Sequence, residues 1–215
     1  MTFLTKIDLS PWSSSVGYDL HNRQSMHERV MSMVPEHYSE DARSQAGVLF
    51  RLEISESGRS LLVQSRNRLD VSRLPGGYAG GVQERDLSKL LNWLAEGCMV
   101  SYRVDLHATV ASKPLEKEGS RGVRRTLHGH DVEDWWAKRS AKFGLDLLPG
   151  SVMHQELPRV SVRKKSVDRK FSHVFTRCSG QARVIDAEAL RSAIEEGVGK
   201  RRAYGAGLLS VAPMR

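Results

Sequence analysis

A mixed α+β chain of two tandem units, the first running β-α-β-β-α-β and the second a less regular α+β unit of similar size, is the fold that the sequence predicts. Three observations predict it. Phe3 to Leu9 and Met99 to Val110 alternate apolar and polar residues with the period of half-buried strands. Between them, Met26, Val30, Met33 and Val34, and then Leu87, Leu90, Leu91 and Leu94, recur at helical spacing. The chain has 215 residues, enough for two small units of this kind. The order over residues 1–110 is that of a ferredoxin-like, or RRM-like, unit, and the second unit is less regular than the first.

The first unit is expected over residues 1–111. Strand Phe3–Leu9 leads into Ser25-Met26-His27-Glu28, which has the S-x-x-E form of a helix capping box. The helix it opens carries the Met26–Val34 stripe and stops at Pro35. Val48–Ile54 and Leu61–Ser65 read as two strands around the turn at Glu56-Ser57-Gly58. The leucine helix follows, closed by Gly97. Met99–Val110 would then complete the unit as its last strand.

Lys113 to Gly129 is polar, basic and glycine-containing, so residues 112–130 read as a basic linker. The second unit, over 131–215, opens with a helix from Val132 to Phe143. Ser151–Met153, Val160–Val162 and Phe171–Phe175 are its strand candidates, the last continuing towards Ile185. Asp186 caps a helix through Ile194 that Gly197 ends, and Gly207–Val211 is a short apolar strand.

The formal net charge is +8, and its position matters more than its size. Residues 1–110 hold 12 basic and 13 acidic side chains, a net of −1; residues 111–215 hold 21 and 12, a net of +9. Arg159 to Arg177 alone contains seven basic residues, Arg159, Arg163, Lys164, Lys165, Arg169, Lys170 and Arg177, against the single acid Asp168. So local a patch suggests a polyanion partner, since Lys and Arg contacts that release counterions dominate non-specific nucleic-acid affinity. A merely solvated basic surface would read the same way. A small-ligand α+β enzyme would suit a half carrying +9 poorly. Cys98 and Cys178 are the only cysteines, which excludes a disulfide scaffold and a cysteine-based zinc site. With no membrane-length apolar run and no signal-peptide core at the start, the expected location is the cytoplasm.

Gly197-Val-Gly199-Lys200-Arg201-Arg202-Ala-Tyr-Gly205-Ala-Gly207 is the most distinctive segment. It is neither a Walker A loop nor a Rossmann fingerprint, because it precedes a strand and lacks the Gly-Lys-Ser/Thr spacing. Its glycines let backbone N–H groups approach a phosphate, with three cations beside them. An ordinary helix-to-strand turn is the competing reading. His27, with Ser25 as the cap, would sit in the first helical turn, where the positive helix end favours neutral imidazole. There it could exchange a proton near neutral pH, or simply close the edge of the apolar stripe. His128-Gly-His130-Asp131 could donate to a metal but, in a polar loop without further partners, read as plain loop residues; Trp135-Trp136 could stack bases, but at helical spacing at least one reads as core. No Asp/Glu spacing argues for a two-metal nuclease, so no metal is expected.

Together these features resemble the CRISPR-associated CasE endoribonucleases. Gln24-Ser-Met-His27-Glu-Arg-Val-Met-Ser-Met-Val-Pro35 is similar to that family's histidine helix. Leu61-Leu-Val-Gln-Ser65 followed by Leu74-Pro75 is similar to its second hairpin strand. The tail Gly197-Val-Gly199 through Tyr204-Gly205-Ala-Gly207-Leu-Leu-Ser-Val-Ala-Pro213 is similar to its C-terminal glycine loop. The resemblance implies a pair of ferredoxin-like domains that bind the stem-loop of a CRISPR repeat. It implies metal-free cutting at the 3′ base of the hairpin by 2′-hydroxyl attack, leaving a 2′,3′-cyclic phosphate. It implies no cofactor, and retention of the product as a subunit of the Cascade complex. His27 would be the catalytic histidine. Some members carry tyrosine three residues before it, where this chain has Gln24. Arg159, Arg163, Lys164, Lys165, Arg169 and Lys170, with Gly199, Lys200, Arg201, Arg202, Gly205 and Gly207, are the expected RNA contacts. The alternative is an RNA hairpin-binding subunit that does not cut.

Overall fold

The computed structural model describes residues 1–35, 42–111, 124–163 and 170–214. Its first part comprises β1 (Phe3–Leu9), α1 (Ser14–His21), α2 (Arg23–Ser32), a short α3 (Ala42–Gln45), β2 (Leu49–Ser55), β3 (Gly58–Ser65) and β4 (Ala79–Asp86). The antiparallel sheet runs β2-β3-β1-β4, the strand order of a ferredoxin-like unit. Its second helix is reduced to one 3₁₀ turn, Val71–Arg73. Alternation places Phe3, Ile7 and Leu9 inward on β1. Ile7, Leu61 and Val63 meet Met26, Val30 and Met33 from α2 in a core from which water is excluded. Each such side chain contributes about 1.5–3 kcal/mol by burial. The expected apolar stripe of α2 is thus the face it buries. Helix α1, which the sequence pattern did not reveal, is held to α2 by the buried carboxylate of Asp19, which accepts from Arg29 and from the Tyr78 hydroxyl.

The second part comprises α4 (Ser88–Trp93), β5 (Met99–Leu106), β6 (Thr109–Ala111), β7 (Arg124–Thr126), α5 (His130–Ser140), β8 (Leu145–Leu147), β9 (Met153–Glu156), β10 (Val160–Arg163), β11 (Lys170–His173), β12 (Thr176–Val184), α6 (Ala187–Glu196) and β13 (Ser210–Pro213). Its sheet runs β13-β5-β12-β8, with β9 also on β12. This is again the ferredoxin-like order, with the second strand position split between β8 and β9. Between β9 and β12 the separate hairpin β10–β11 is inserted. Trp136 is fully buried and stacks on Phe143, while Trp135 lies at the core's edge. Asp186 caps α6 as expected, its side chain accepting from the Ala189 N–H at 2.9 Å.

The structure corrects two expectations. Met99–Val110 does not close the first sheet: β5 pairs with β12 and β13 and founds the second. The place it was given belongs to β4, which pairs with β1. That strand is glycine-containing, polar and largely exposed at the sheet edge, so it carries little apolar alternation to read. The linker expected over 112–130 is not wholly irregular either, since Arg124–Thr126 forms β7 on β6; residues 112–123 lie outside the described segments. Among the described residues no helix is long and apolar enough to cross a membrane.

The two sheets are joined by a buried ionic network. Arg51 of β2 is 2% exposed. It donates to the carbonyls of Arg103 and Leu208, to Ser210 Oγ and to Glu53. Arg177, a member of the basic run, turns inward: it grips Asp105 through two nitrogens and reaches Glu53 at 2.7 Å.

Candidate nucleic-acid interface

Helix α2 starts earlier than the capping box suggested. Asn22 is the cap: its extended backbone (φ −133°) turns Oδ1 onto the Gln24 N–H at 3.1 Å. Ser25 lies inside the first turn and accepts from Asn22 Nδ2. Glu28 accepts from the Gln24 side chain instead of completing a capping box. His27 is therefore the fifth helical residue, beyond the first turn where the helix dipole acts most strongly. It is half-buried, at the border between the apolar face and solvent.

The surroundings of α2 assemble the candidate site. The helix packs against β10 of the hairpin and against the 3₁₀ turn Arg202–Tyr204 of the glycine segment. Asn22 makes the hairpin contact specific. Its Oδ1 accepts from the Arg163 N–H at 3.0 Å, and its Nδ2 donates to the Arg163 carbonyl at 3.3 Å. One amide thus caps the histidine helix and continues the edge of β10. Asn22→Ala is expected to cost about 1 kcal/mol of stability. Asn22→Asp keeps the acceptor but not the donor and should fall between alanine and wild type. Thermal melts of all three check this, and a wild-type melt for Asn22→Ala would contradict it.

On β10, Val160 and Val162 point inward against Phe175 and Ala206, leaving Arg159 and Arg163 exposed. Lys164, Lys165 and Arg169 lie outside the described residues, and Lys170 begins β11. Lys200 and Arg201 are exposed, whereas Arg202 turns back to the Glu196 carbonyl at the end of α6. Two of the glycines expected to face RNA prove structural. Gly205 and Gly207 are buried, with φ of 95° and 84°. A Cβ on Gly207 would stand 2.4 Å from the Val198 carbonyl oxygen, and one on Gly205 would stand 3.1 Å from the Phe50 ring. They shape the loop from inside. Gly199 is exposed.

Several residues of this region were not legible in the sequence. His173 of β11 is buried, stacks on Tyr204 at 5.7 Å and meets the edge of His107. Burial, with Arg201 and His107 nearby, pushes His173 down to about 4, so it is neutral at physiological pH. These rings join the hairpin, the end of β5 and the glycine segment. Arg23 stands one helical turn before His27, with its guanidinium buried. It lines a cavity of about 590 Å³ together with His21, Arg59, Arg159, Arg177 and Phe175. Burial lowers its pKa and Asp105 opposes that, but a guanidinium remains a cation at neutral pH. The arrangement places a histidine able to move protons between two cationic elements, which is what phosphodiester chemistry needs.

A family model described as CRISPR associated protein matches residues 2–213. The CRISPR-associated endoribonuclease Cse3 of Thermus thermophilus is 29% identical over 221 residues, covering 98% of this chain and all of that protein. A solved CRISPR endoribonuclease Cse3 bound to a 19-nucleotide RNA superposes with a TM-score of 0.80 at 27% identity, covering 98% of this chain and 100% of that one. A chain of a CRISPR RNA-guided surveillance complex in a pre-nicking state is 29% identical, with a TM-score of 0.71 and coverage of 99% and 100%.

Proposed function

Because the chain belongs to the CRISPR-associated protein family, we propose that it is an endoribonuclease that cuts CRISPR repeat RNA at the 3′ base of its stem-loop without a metal ion. It then stays on the product as a subunit of the Cascade surveillance complex. The observation that carries this reading is the packing of the His27 helix between the basic hairpin β10–β11 and the glycine segment. Relatives of the same length include an endoribonuclease bound to RNA and a chain of an RNA-guided surveillance complex.

In the proposed step the 2′-oxygen of the upstream nucleotide attacks the adjacent phosphorus. The new 2′-O–P bond forms as the P–O5′ bond breaks, leaving a 2′,3′-cyclic phosphate and a 5′-hydroxyl. His27 either takes the 2′-hydroxyl proton or supplies one to the departing 5′-oxygen. Arg159, Arg163, Lys200 and Arg201, all exposed, hold the RNA backbone and offset the charge gathering on the phosphate. Lys164, Lys165, Arg169 and Lys170 extend the same strip in sequence. Their chemistry suits an A-form stem, which presents phosphates and 2′-hydroxyls more readily than base edges. We also divide the chain between Asp86 and Met99 rather than at 111, on the strength of the strand partners.

The direct test uses a repeat RNA carrying a single 2′-deoxy nucleotide at the cut site. It should bind with unchanged affinity and remain intact, while the all-ribose RNA is cut in EDTA. Cutting of the deoxy RNA would overturn the nucleophile, and failure of the ribose RNA to be cut in EDTA would overturn the metal-free step. For binding, Arg163→Glu and Lys200→Glu should each weaken affinity. Each should also lower the slope of log K against log salt by about one for every phosphate no longer held. An unchanged slope would remove those residues from the interface.

A further inference from the structure

The His128-Gly-His130 segment, which by its sequence reads more readily as a plain loop than as a metal site, meets a second element in the fold. His130 is the first residue of α5 and Glu133 lies one turn on, so both occupy one face of the helix. His154 comes from β9, which packs beside that helix. The Glu133 carboxylate bridges the two rings through hydrogen bonds. It accepts from His154 Nδ1 at 2.6 Å through one oxygen and from His130 Nδ1 at 3.1 Å through the other. The two imidazoles meet edge to face, with centroids 5.1 Å apart. One donor atom from each residue falls within 4.8 Å of the others.

We propose that His130, Glu133 and His154 form a binding site for one divalent transition-metal ion of the zinc class. The donor set is two imidazoles and one carboxylate, which zinc accepts with water in the fourth position. Its nitrogen-rich chemistry selects zinc, nickel or cobalt over magnesium and calcium, which prefer oxygen cages. Entry is open, since the His130 side chain is 90% exposed, while Glu133 and His154 are three-quarters covered and held in place. An imidazole becomes a ligand when its Nδ1 carries no proton, the tautomer with hydrogen on Nε2 leaving the Nδ1 lone pair free for the ion. Glu133 exchanges two hydrogen bonds for one metal bond. A carboxylate outside the set buttresses the loop: Glu156 accepts from the Gly129 N–H at 3.3 Å and from His128 Nδ1 at 3.1 Å. The ion would tie the start of α5 to β9. Because β9 runs through residues 157–159 directly into β10, this clamp sits at the root of the basic hairpin.

This site belongs to the second unit, whereas His27 stands in the first. The inference does not depend on the cleavage reading, and single-turnover cutting at saturating protein should be the same with and without the ion. The test takes the full-length, untagged chain, strips it with EDTA, removes the chelator and titrates zinc chloride by calorimetry, with thermal melts alongside. Binding of one ion per chain is expected, with a melting temperature raised by roughly 5–10 °C at a hundredfold excess over Kd. Glu133→Gln and His154→Ala should each weaken binding at least tenfold while melting as the metal-free wild type does. His128→Ala should bind as tightly as wild type. The proposal is overturned if the wild-type chain shows no saturable zinc binding at micromolar concentration. It is equally overturned if both Glu133→Gln and His154→Ala bind zinc as wild type does, which would place the ion on other histidines, such as the His107–His173 pair.

Discussion

Replacing His27 with alanine is expected to slow cutting of the repeat RNA by about 10²–10⁴ while leaving its affinity within about threefold. The asymmetry follows from where the charges are. His27 adds no fixed cation to the exposed strip formed by Arg159, Arg163, Lys200 and Arg201. On the proposed mechanism, its loss is therefore expected to slow the cut far more than it weakens binding. The substitution should also be tolerated by the fold, because the α2 residues that fill the core are Met26 and Val30, with Met33 just after them, all fully buried. Single-turnover cleavage under saturating protein, with binding measured on the 2′-deoxy RNA, separates the two effects. A variant that cuts at the wild-type rate would remove His27 from the chemistry. A variant that fails to bind would instead make it an anchoring residue.

The second large effect is expected at Arg51. Its guanidinium ties β2 of the first unit to carbonyls and a hydroxyl of β5, the glycine segment and β13 in the second. Arg51→Ala leaves those acceptors facing a void and removes one of the cations beside Glu53. Breaking a buried charged pair from one side costs about 3–5 kcal/mol, a large share of the roughly 5–15 kcal/mol that ordinarily holds a domain. Denaturant melts measure this directly, and a decrease below about 1 kcal/mol would show that the network is not what joins the units. Arg51→Lys keeps the charge but not the planar fork, so it should recover only part of the stability. The network also carries a pH signature. Burial pushes the Glu53 carboxyl up, but Arg51 and Arg177 outweigh burial and hold it below its ordinary 4.5. Its contribution is then complete above about pH 4.5 and is lost as the pH falls through the depressed folded-state value. Arg51→Ala should flatten that acid-side decline.

The contrast between His27 and Arg51 marks what could and could not be seen in advance. The histidine stands in a helix whose apolar stripe is spelled out within about ten residues. Arg51 sits in a strand segment, Leu49–Ser55, whose sequence says nothing of Leu208 or Ser210, 157 and 159 positions away. Likewise Arg177 reads as one more cation in a basic run, and only the approach of Asp105 and Glu53 turns it inward. Ser25 looks like the helix cap because the S-x-x-E spacing favours it. Asn22 takes the role because β10 also offers its amide a backbone N–H and a carbonyl.

From the sequence alone came the α+β class, the buried stripe of α2, the Asp186 cap and Gly197 stop of α6, the lopsided charge and the motifs of the resemblance. All of these rest on periodicity, capping or composition within a short stretch of chain. Tertiary structure alone decided which sheet β5 joins, since a strand's alternation identifies a buried face but not its partner. It also decided that the glycine-containing, exposed Ala79–Asp86 is a strand at all, that Gly205 and Gly207 pack inward, and that His154 meets His130 and Glu133. Each of these depends on the free energy of pairing distant segments, which pattern within one segment does not encode.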